Sequence, residues 1–274
     1  MTDARTTARA PAVGELLRQW RTRRRLTQLE LSIRADISAR HLSFVETGRA
    51  SPSRELLAHL AEHLGLPLRE RNRLLLAAGY APAFGETALD APRMAAVRAA
   101  VRQVLTGHEP YPAVVVDRRW HLVDANAGAA VMIDLVAPHL LEPPANVLRA
   151  SLHPDGLAPH IDNLAEWRAH LLARLRGQVE VTADPGLAAL LAELRGYPGG
   201  SDGTGPTVPG PAEIAVPLRL RSADGPLSFV STVAAFGTPL DITVAELTIE
   251  SFYPADAATA AALRARTAAH PPAP

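Results

Sequence analysis

Leu26-Thr27-Gln28-Leu29-Glu30-Leu31-Ser32-Ile33-Arg34-Ala35-Asp36-Ile37-Ser38-Ala39-Arg40-His41-Leu42-Ser43-Phe44-Val45-Glu46-Thr47-Gly48-Arg49 is the stretch on which the reading of this chain turns. Thr27 is placed to cap a helix, and Glu30 completes a capping box in which each residue satisfies an orphan backbone N–H of the other. Leu26 and Leu31 flank that cap as a hydrophobic staple. The helix is expected to end near Ala35, with Asp36 in the turn and Ser38 capping a second helix. On that second helix Leu42 and Val45 share one face, while Arg40, Ser43, Phe44 and Thr47 point away from it. Gly48 suits the left-handed position that stops it.

The flanking sequence extends the pattern. In Val13–Arg25, Val13, Leu16, Leu17 and Trp20 recur at i, i+3, i+4 and i+7. Ser53–Leu64 carries a cap at Ser53, a core face of Leu56, Leu57, Leu60 and Leu64, and a stop at Gly65, and a fifth helix over Leu68–Ala78 ends at Gly79. Five short helices predict an all-α domain over residues 11–80. Two helices joined by a tight turn, the second presenting Arg40 and Ser43 outward, have the geometry that lays a helix in the major groove of DNA. A plain helical bundle is the alternative; the caps at both helix starts, the turn length and the outward Arg40 favour the groove reading.

Charge points the same way. The chain is neutral overall, with 28 basic and 28 acidic residues, yet residues 1–85 hold 14 arginines against 8 carboxylates and the remainder 14 against 20. A basic half beside an acidic one fits nucleic-acid contact by the basic half. Arg18, Arg21, Arg23, Arg24 and Arg25 crowd the end of the first helix and Arg49 follows the second helix of the motif; complementing a helix dipole is the other use of arginines so placed. The chain contains neither lysine nor cysteine, which removes a Walker lysine, Schiff-base chemistry, thiol nucleophiles, disulfides and cysteine-based zinc sites. No apolar run approaches a membrane span and the N-terminus has no signal-peptide core, so a soluble, cytoplasmic protein without a membrane partner is expected.

With these residues in view, residues 13–65 resemble the XRE-type, lambda-repressor-like helix-turn-helix. The resemblance implies that Gln28 meets the DNA backbone or a base and that Ser38, Ala39, Arg40 and Ser43 line the groove. Phe44 or Ser43 is placed to touch a base or thymine methyl, and Thr47, Arg49 and Arg24 complete the candidate DNA-facing set. The run from Arg40 to Arg49, followed by Arg69-Glu70-Arg71-Asn72-Arg73-Leu74-Leu75-Leu76-Ala77-Ala78-Gly79-Tyr80-Ala81-Pro82, is similar to regulators whose C-terminal half is a MmyB-like ligand-binding domain. Two departures stand out. Asp36 occupies a position where many relatives have a turn glycine, and Ser32 replaces a small alanine at the helix crossing.

Residues 81–92, with two prolines and a glycine, read as a linker. Residues 93–256 read as a mixed α/β domain. Arg93–Thr106 is helical; Ala113–Val116 and Trp120–Val123 form a hairpin; Asn126 caps a helix through Val136; and Gly156–Gly196 is mostly helical with a break at Asp184-Pro185-Gly186. Gly199–Pro211 reads as a mobile loop. Three β segments follow, one from Ile214 to Leu220, one over Leu227–Phe236, and one over Ile242–Phe252 whose apolar phase slips near Val244 and suggests a bulge. Residues 257–274 read as a C-terminal tail, and Met1–Ala10 as a frayed end. The whole is an α+β multidomain chain, a five-helix domain followed by a PAS-like α/β domain with an antiparallel sheet of five strands, and Val115-Val116-Asp117 with Trp120-His121-Leu122-Val123-Asp124-Ala125-Asn126-Ala127 resembles the opening of PAS-like domains.

Chemistry in this second domain finds little support. There is no Gly-x-Ser-x-Gly, and Gly203-Thr204-Gly205 lacks the Gly-Lys-Ser/Thr of a phosphate loop. His153, His160 and His170 fit no metal-ligand spacing, so no metal is expected. Glu166 and Asp155 are carboxylates of a solvated kind, and no enzyme is expected. A sensor instead needs an enclosed apolar cavity with a few polar anchors. Trp120, Trp167, Phe229 and Phe236 are the large residues available to line one, with Arg149 and His153 as anchors, ordinary core being the alternative for each. The resemblance implies a fatty-acid-type or other apolar effector, and no cofactor is expected. The expected function is a homodimeric, operator-binding transcriptional regulator whose effector alters dimer geometry; the alternatives are a regulator with a ligand-free dimerisation domain and an enzyme fused to a DNA-binding head.

Overall fold

Local capping and one leucine-rich core explain the first part of the chain. The computed structural model describes residues 12–199, 216–223 and 225–269. Its first five helices are α1 (Val13–Arg23), α2 (Gln28–Arg34), α3 (Ala39–Glu46), α4 (Arg54–His63) and α5 (Leu68–Ala77). The capping box closes as the sequence predicts: Thr27 Oγ1 accepts the Glu30 N–H at 3.1 Å and the Glu30 carboxylate accepts the Thr27 N–H at 2.6 Å. Ser38 and Ser53 cap α3 and α4 by accepting the N–H groups of His41 and Leu56. Gly48, Gly65 and Gly79 follow α3, α4 and α5 at φ of 73°, 60° and 82°, the left-handed conformation glycine adopts without strain. Leu17, Leu31, Leu42, Val45 and Leu60 are fully buried against one another, each contributing roughly 1.5–3 kcal/mol through burial.

The chain divides into two compact units between Glu86 and Thr87, with Leu240–Ile242 grouped with the first. Most of the stretch read as a linker is tied down. Within the first unit, Asn72 on α5 accepts the N–H groups of Ala83 and Phe84 and donates to the Phe84 carbonyl at 2.8 Å. Within the second, Arg98 donates to the carbonyls of Leu89 and Ala91. Proline and glycine content signalled irregular backbone, and side chains of the neighbouring helices supply its hydrogen bonds.

The second unit contains α6 (Ala95–Gly107), β1 (Ala113–Val116), β2 (Leu122–Ala125), α7 (Ala130–Ile133), α8 (Val147–Leu152), α9 (Leu164–Thr182), α10 (Pro185–Arg195), β3 (Leu218–Ser222), β4 (Gly225–Ala235), all of α11 (Ile242–Ala245) after its first residue, β5 (Thr248–Pro254) and α12 (Ala257–Ala269). The five strands form one antiparallel sheet in the order β2-β1-β5-β4-β3. Val116, Leu220, Leu227, Phe229 and Phe252 of the sheet join a core with Leu171 and Leu175 of α9 and Leu190 and Leu194 of α10. Ala113, Val115 and Ile249 alternate to a smaller cluster with Val101 and Leu105 of α6. Arg168, buried on α9, donates to the carbonyls of Leu194 and Arg195 and so satisfies the C-terminal end of α10.

Three expectations are corrected. Residues 257–269 are not tail but α12, which Asp256 caps at 2.7 Å and which buries Thr259 and Leu263. The alanine-rich sequence has the intrinsic helix propensity, and Thr259 Oγ1 accepts the Ser228 N–H to dock it on β4. The apolar slip near Val244 is not a bulge but a change of element, the short α11 before β5. The helix expected from Asn126 to Val136 is shorter, a 3-10 turn over Ala127–Ala129 followed by α7. The segments Met1–Ala10, 200–215 and 270–274, with most of the expected loop and the start of the Ile214–Leu220 strand, lie outside the described residues.

Candidate DNA-facing helix and apolar cavity

Helix α3 is fixed by its buried face. Leu42 and Val45 are wholly inside, while Ser38, Arg40, Thr47 and Arg49 are exposed and Ala39, Ser43 and Phe44 half-buried. Arg40 lies over the Phe44 ring at 5.3 Å, one turn along the exposed side. Thr47 Oγ1 donates back to the Ser43 carbonyl at 2.7 Å. Below α3, Gly14 leaves room for nothing more: a Cβ there would meet the Val45 carbonyl and lie 2.6 Å from that of Glu46.

Glu46 is the residue that sequence reasoning missed. Its carboxylate is buried and accepts from Arg21 Nε at 2.7 Å, Arg21 Nη2 at 2.8 Å and Gln28 Nε2 at 2.8 Å. This charge-assisted bidentate bond raises the Arg21 guanidinium above its ordinary range. One network thus pins the start of α2, the end of α3 and the end of α1. Its signal was that Glu46 shares the inward face with Leu42 and Val45, where a lone carboxylate requires a cation. Arg24 is also turned to structure, donating to the carbonyls of Leu64 and Gly65 at 2.8 and 3.2 Å and lying over Trp20. It serves as a C-cap of α4, a role its place in an arginine cluster did not reveal.

The second unit forms a partly open cavity of about 100 Å³, walled by β1, β5, α7, α8 and α9. Trp120 and Trp167 stand in the wall with Met132, Leu171 and Phe252. Each indole N–H is already engaged, Trp120 with Gln178 at 2.6 Å and Trp167 with Ser151 at 3.0 Å. Trp120 has φ of 66°, an outlier for a bulky side chain, and Arg174 packs over its ring at 4.6 Å. The same guanidinium donates from Nη1 to Glu250 Oε1 at 3.0 Å, and the β1–β5 register sets Glu250 beside Val114 on the cavity side of the sheet.

The other four expected lining residues lie elsewhere. Phe229 is fully buried behind the wall, edge-on to Phe252 at 6.3 Å. Phe236 packs with the smaller cluster on the opposite face of the sheet. Arg149 makes a bidentate pair with Glu193 at 2.7 Å, to which the Tyr197 hydroxyl also donates at 2.6 Å. Burial, reinforced by that carboxylate, pushes the Tyr197 phenol up to about 12, and the bond from Arg149 holds Glu193 below the usual carboxylate range. His153 Nδ1 accepts the Asp155 N–H, and its ring meets those of His139 and Tyr197. The fold gathers His139, His153 and Asp155 with potential ligand atoms within 4.8 Å, a grouping absent from the histidine spacing read in the sequence. No helix among the described residues is long and apolar enough to cross a membrane.

A capped two-helix motif on a five-helix unit, followed by a five-stranded sheet that backs an apolar cavity, defines a helix-turn-helix protein with a sensor-type module. The comparisons place it further. Residues 97–265 match the MmyB-like transcription regulator ligand binding domain, and residues 12–74 match a helix-turn-helix domain. The chain belongs to the family of MmyB-like transcription regulators. The family match runs through most of α12, in agreement with its place in the fold. The chain is also similar to Multiprotein-bridging factor 1 of Candida albicans, 38% identical over 61 residues, which are 22% of this chain and 40% of that protein. The chain therefore spans less than half the length of that relative.

Proposed function

We propose that this regulator reads its operator with α3 and answers to an apolar effector held in the second unit. In this reading Arg40 donates to a guanine edge, Ser38, Ala39, Ser43 and Phe44 face neighbouring bases, and Gln28, Thr47 and Arg49 meet the backbone. Arg24 acts through α4 rather than directly. Two copies bind as a homodimer on half-sites about one helical turn (~34 Å) apart, and the effector changes the geometry of the pair. The resemblance implies a fatty-acid-type effector, and an apolar chain suits the hydrophobic wall; no cofactor is required. The observation that carries the reading is the exposed Arg40 on a helix whose opposite face is locked by Leu42, Val45 and Glu46.

Selection from a random duplex pool by the full chain and by Arg40→Ala tests it. A specific base contact is worth about 1–3 kcal/mol, so the variant should lose preference at one position per half-site and weaken selected sites roughly 5- to 150-fold. Equal weakening on all sequences would reduce Arg40 to a phosphate contact and overturn the assignment.

A further inference from the structure

We propose that His139, His153 and Asp155 form a binding site for a first-row transition-metal dication of the zinc or nickel kind. None of the three belongs to the described cavity wall, so the site stands apart from the effector reading. Potential ligand atoms of the three residues lie within 4.8 Å of one another. Asp155 Oδ2 is 3.7 Å from His139 Nε2 and 3.8 Å from His153 Nδ1. Two imidazoles and one carboxylate suit zinc, nickel, cobalt or copper better than magnesium or calcium, which take oxygen ligands.

The backbone that carries these ligands is tied down, while their side chains reach solvent. Pro138 opens the 3-10 turn Pro138–Leu140, which presents His139. Helix α8 ends at Leu152, and His153 leaves it in an extended conformation. The Ala137 N–H donates to the Asp155 carbonyl at 2.9 Å and joins the two segments. The second segment is closed by the Gly156 N–H on the His153 carbonyl at 2.9 Å and the Leu157 N–H on the Ala150 carbonyl at 2.8 Å. A Cβ at Gly156 would run into the Ala150 carbonyl, so this turn has no slack. Behind the site the His153 ring stands edge-on to Tyr197 at 5.1 Å, and Tyr197 is bonded to Glu193 of α10. Metal bonds of about 2.0–2.2 Å set neighbouring ligand atoms about 3–3.5 Å apart, so both distances to Asp155 close by roughly half an ångström. The widest gap closes by rotation of His139 and Asp155, whose side chains are 56% and 60% exposed. His153 Nδ1 accepts the Asp155 N–H at 3.0 Å and is therefore unprotonated, the state a metal requires. The metal takes that lone pair and leaves an exposed N–H to water. Water completes the shell on the open side.

Calorimetric titration of the chelator-treated full chain with ZnCl2 and with NiCl2 tests the site. One dication should bind per chain more tightly than at any other position. His139→Ala, which removes an exposed side chain, should weaken that site at least tenfold, His153→Gln likewise, and Asp155→Asn at least threefold. His59 and His63 on α4, with ring centroids 4.5 Å apart, offer a two-nitrogen competitor, so His63→Ala is measured alongside and should leave the tight site unchanged. Ni2+ should broaden the amide resonances of Ala137 and Asp155 first. Saturating Zn2+ should raise the melting temperature of the unaltered chain and not that of His139→Ala, because a ligand of the folded state stabilises it. Mg2+ in tenfold excess should not displace Zn2+. The assignment is overturned if no dication binds, if Zn2+ binds equally well to His139→Ala, or if His63→Ala abolishes the tight site. The amide broadening uses the unaltered protein and decides the question even where a variant fails to fold.

Discussion

Asp36 stands in the turn between α2 and α3 at φ of 47°, in the left-handed region that costs most side chains about 1–2 kcal/mol. Aspartate tolerates that region better than most, which is how this chain does without a glycine there. Asp36→Val should lower stability by about 1–2 kcal/mol, whereas Asp36→Gly should leave it unchanged or raised by up to about 1 kcal/mol. Urea unfolding of the two variants, read at a common slope, checks both signs. Glu46 carries more. Removing one side of a buried ion pair leaves an uncompensated charge, so Glu46→Ala should cost about 3–5 kcal/mol and loosen Gln28 at the start of α2. Loss of less than about 1 kcal/mol in the same assay would show that the network contributes little. The turn position of Asp36 was legible because its constraint is local. The partners of Glu46 were not, because Arg21 lies 25 residues away in sequence.

At the scale of elements, what could be read depended on whether an element carries its own signals. The capping box of α2, the serine caps of α3 and α4, and the glycine stops follow from neighbours a few residues apart. Helix α12 carries one large buried apolar residue, Leu263, so no apolar stripe marked it, and its place depends on a hydrogen bond from a strand 31 residues earlier. In the cavity, Trp120 and Trp167 could be guessed from size, while Glu250 needed the register of β1 with β5. Arg149 was misjudged because its partner Glu193 lies 44 residues on, bracing α8 against α10. Close packing of α1 under α3 makes a further prediction. Gly14→Ala pushes a Cβ into backbone carbonyls that cannot swing aside, so it should destabilise the first unit by about 1–3 kcal/mol, measurable by thermal melting.

The brace between α8 and α10 also sets a pH signature. Glu193 titrates below its ordinary 4.5 in the folded chain, so its contribution is present above that value and is lost as pH falls through the folded pKa. Tyr197 titrates at about 12 rather than 10, so its contribution is present below 10 and is lost as pH rises towards 12. Glu193→Gln should flatten the stability profile by lowering it at neutral pH, modestly because the pair is partly exposed, while leaving the acid end nearly unchanged. Parallel denaturation series at acid, neutral and alkaline pH would show it. An unaltered profile would mean that the brace is not coupled to folding.

At the scale of the whole molecule, the uneven charge of the two halves separates two tasks. In the proposed reading the basic half supplies a salt-dependent attraction to DNA, and the acidic half, with its apolar cavity, the site at which a small molecule alters that attraction. Such coupling is reciprocal and amounts to about a 5- to 150-fold change in affinity for typical allosteric proteins. The most direct measurement is the affinity of the full chain for its selected operator, at fixed salt, with the cavity empty and with it saturated by a fatty-acid-type probe. The account predicts a shift of at least about fivefold, matched by an equal shift in probe affinity when operator is bound. An operator affinity that stays the same while the indole N–H resonances of Trp120 and Trp167 report a filled cavity would contradict it.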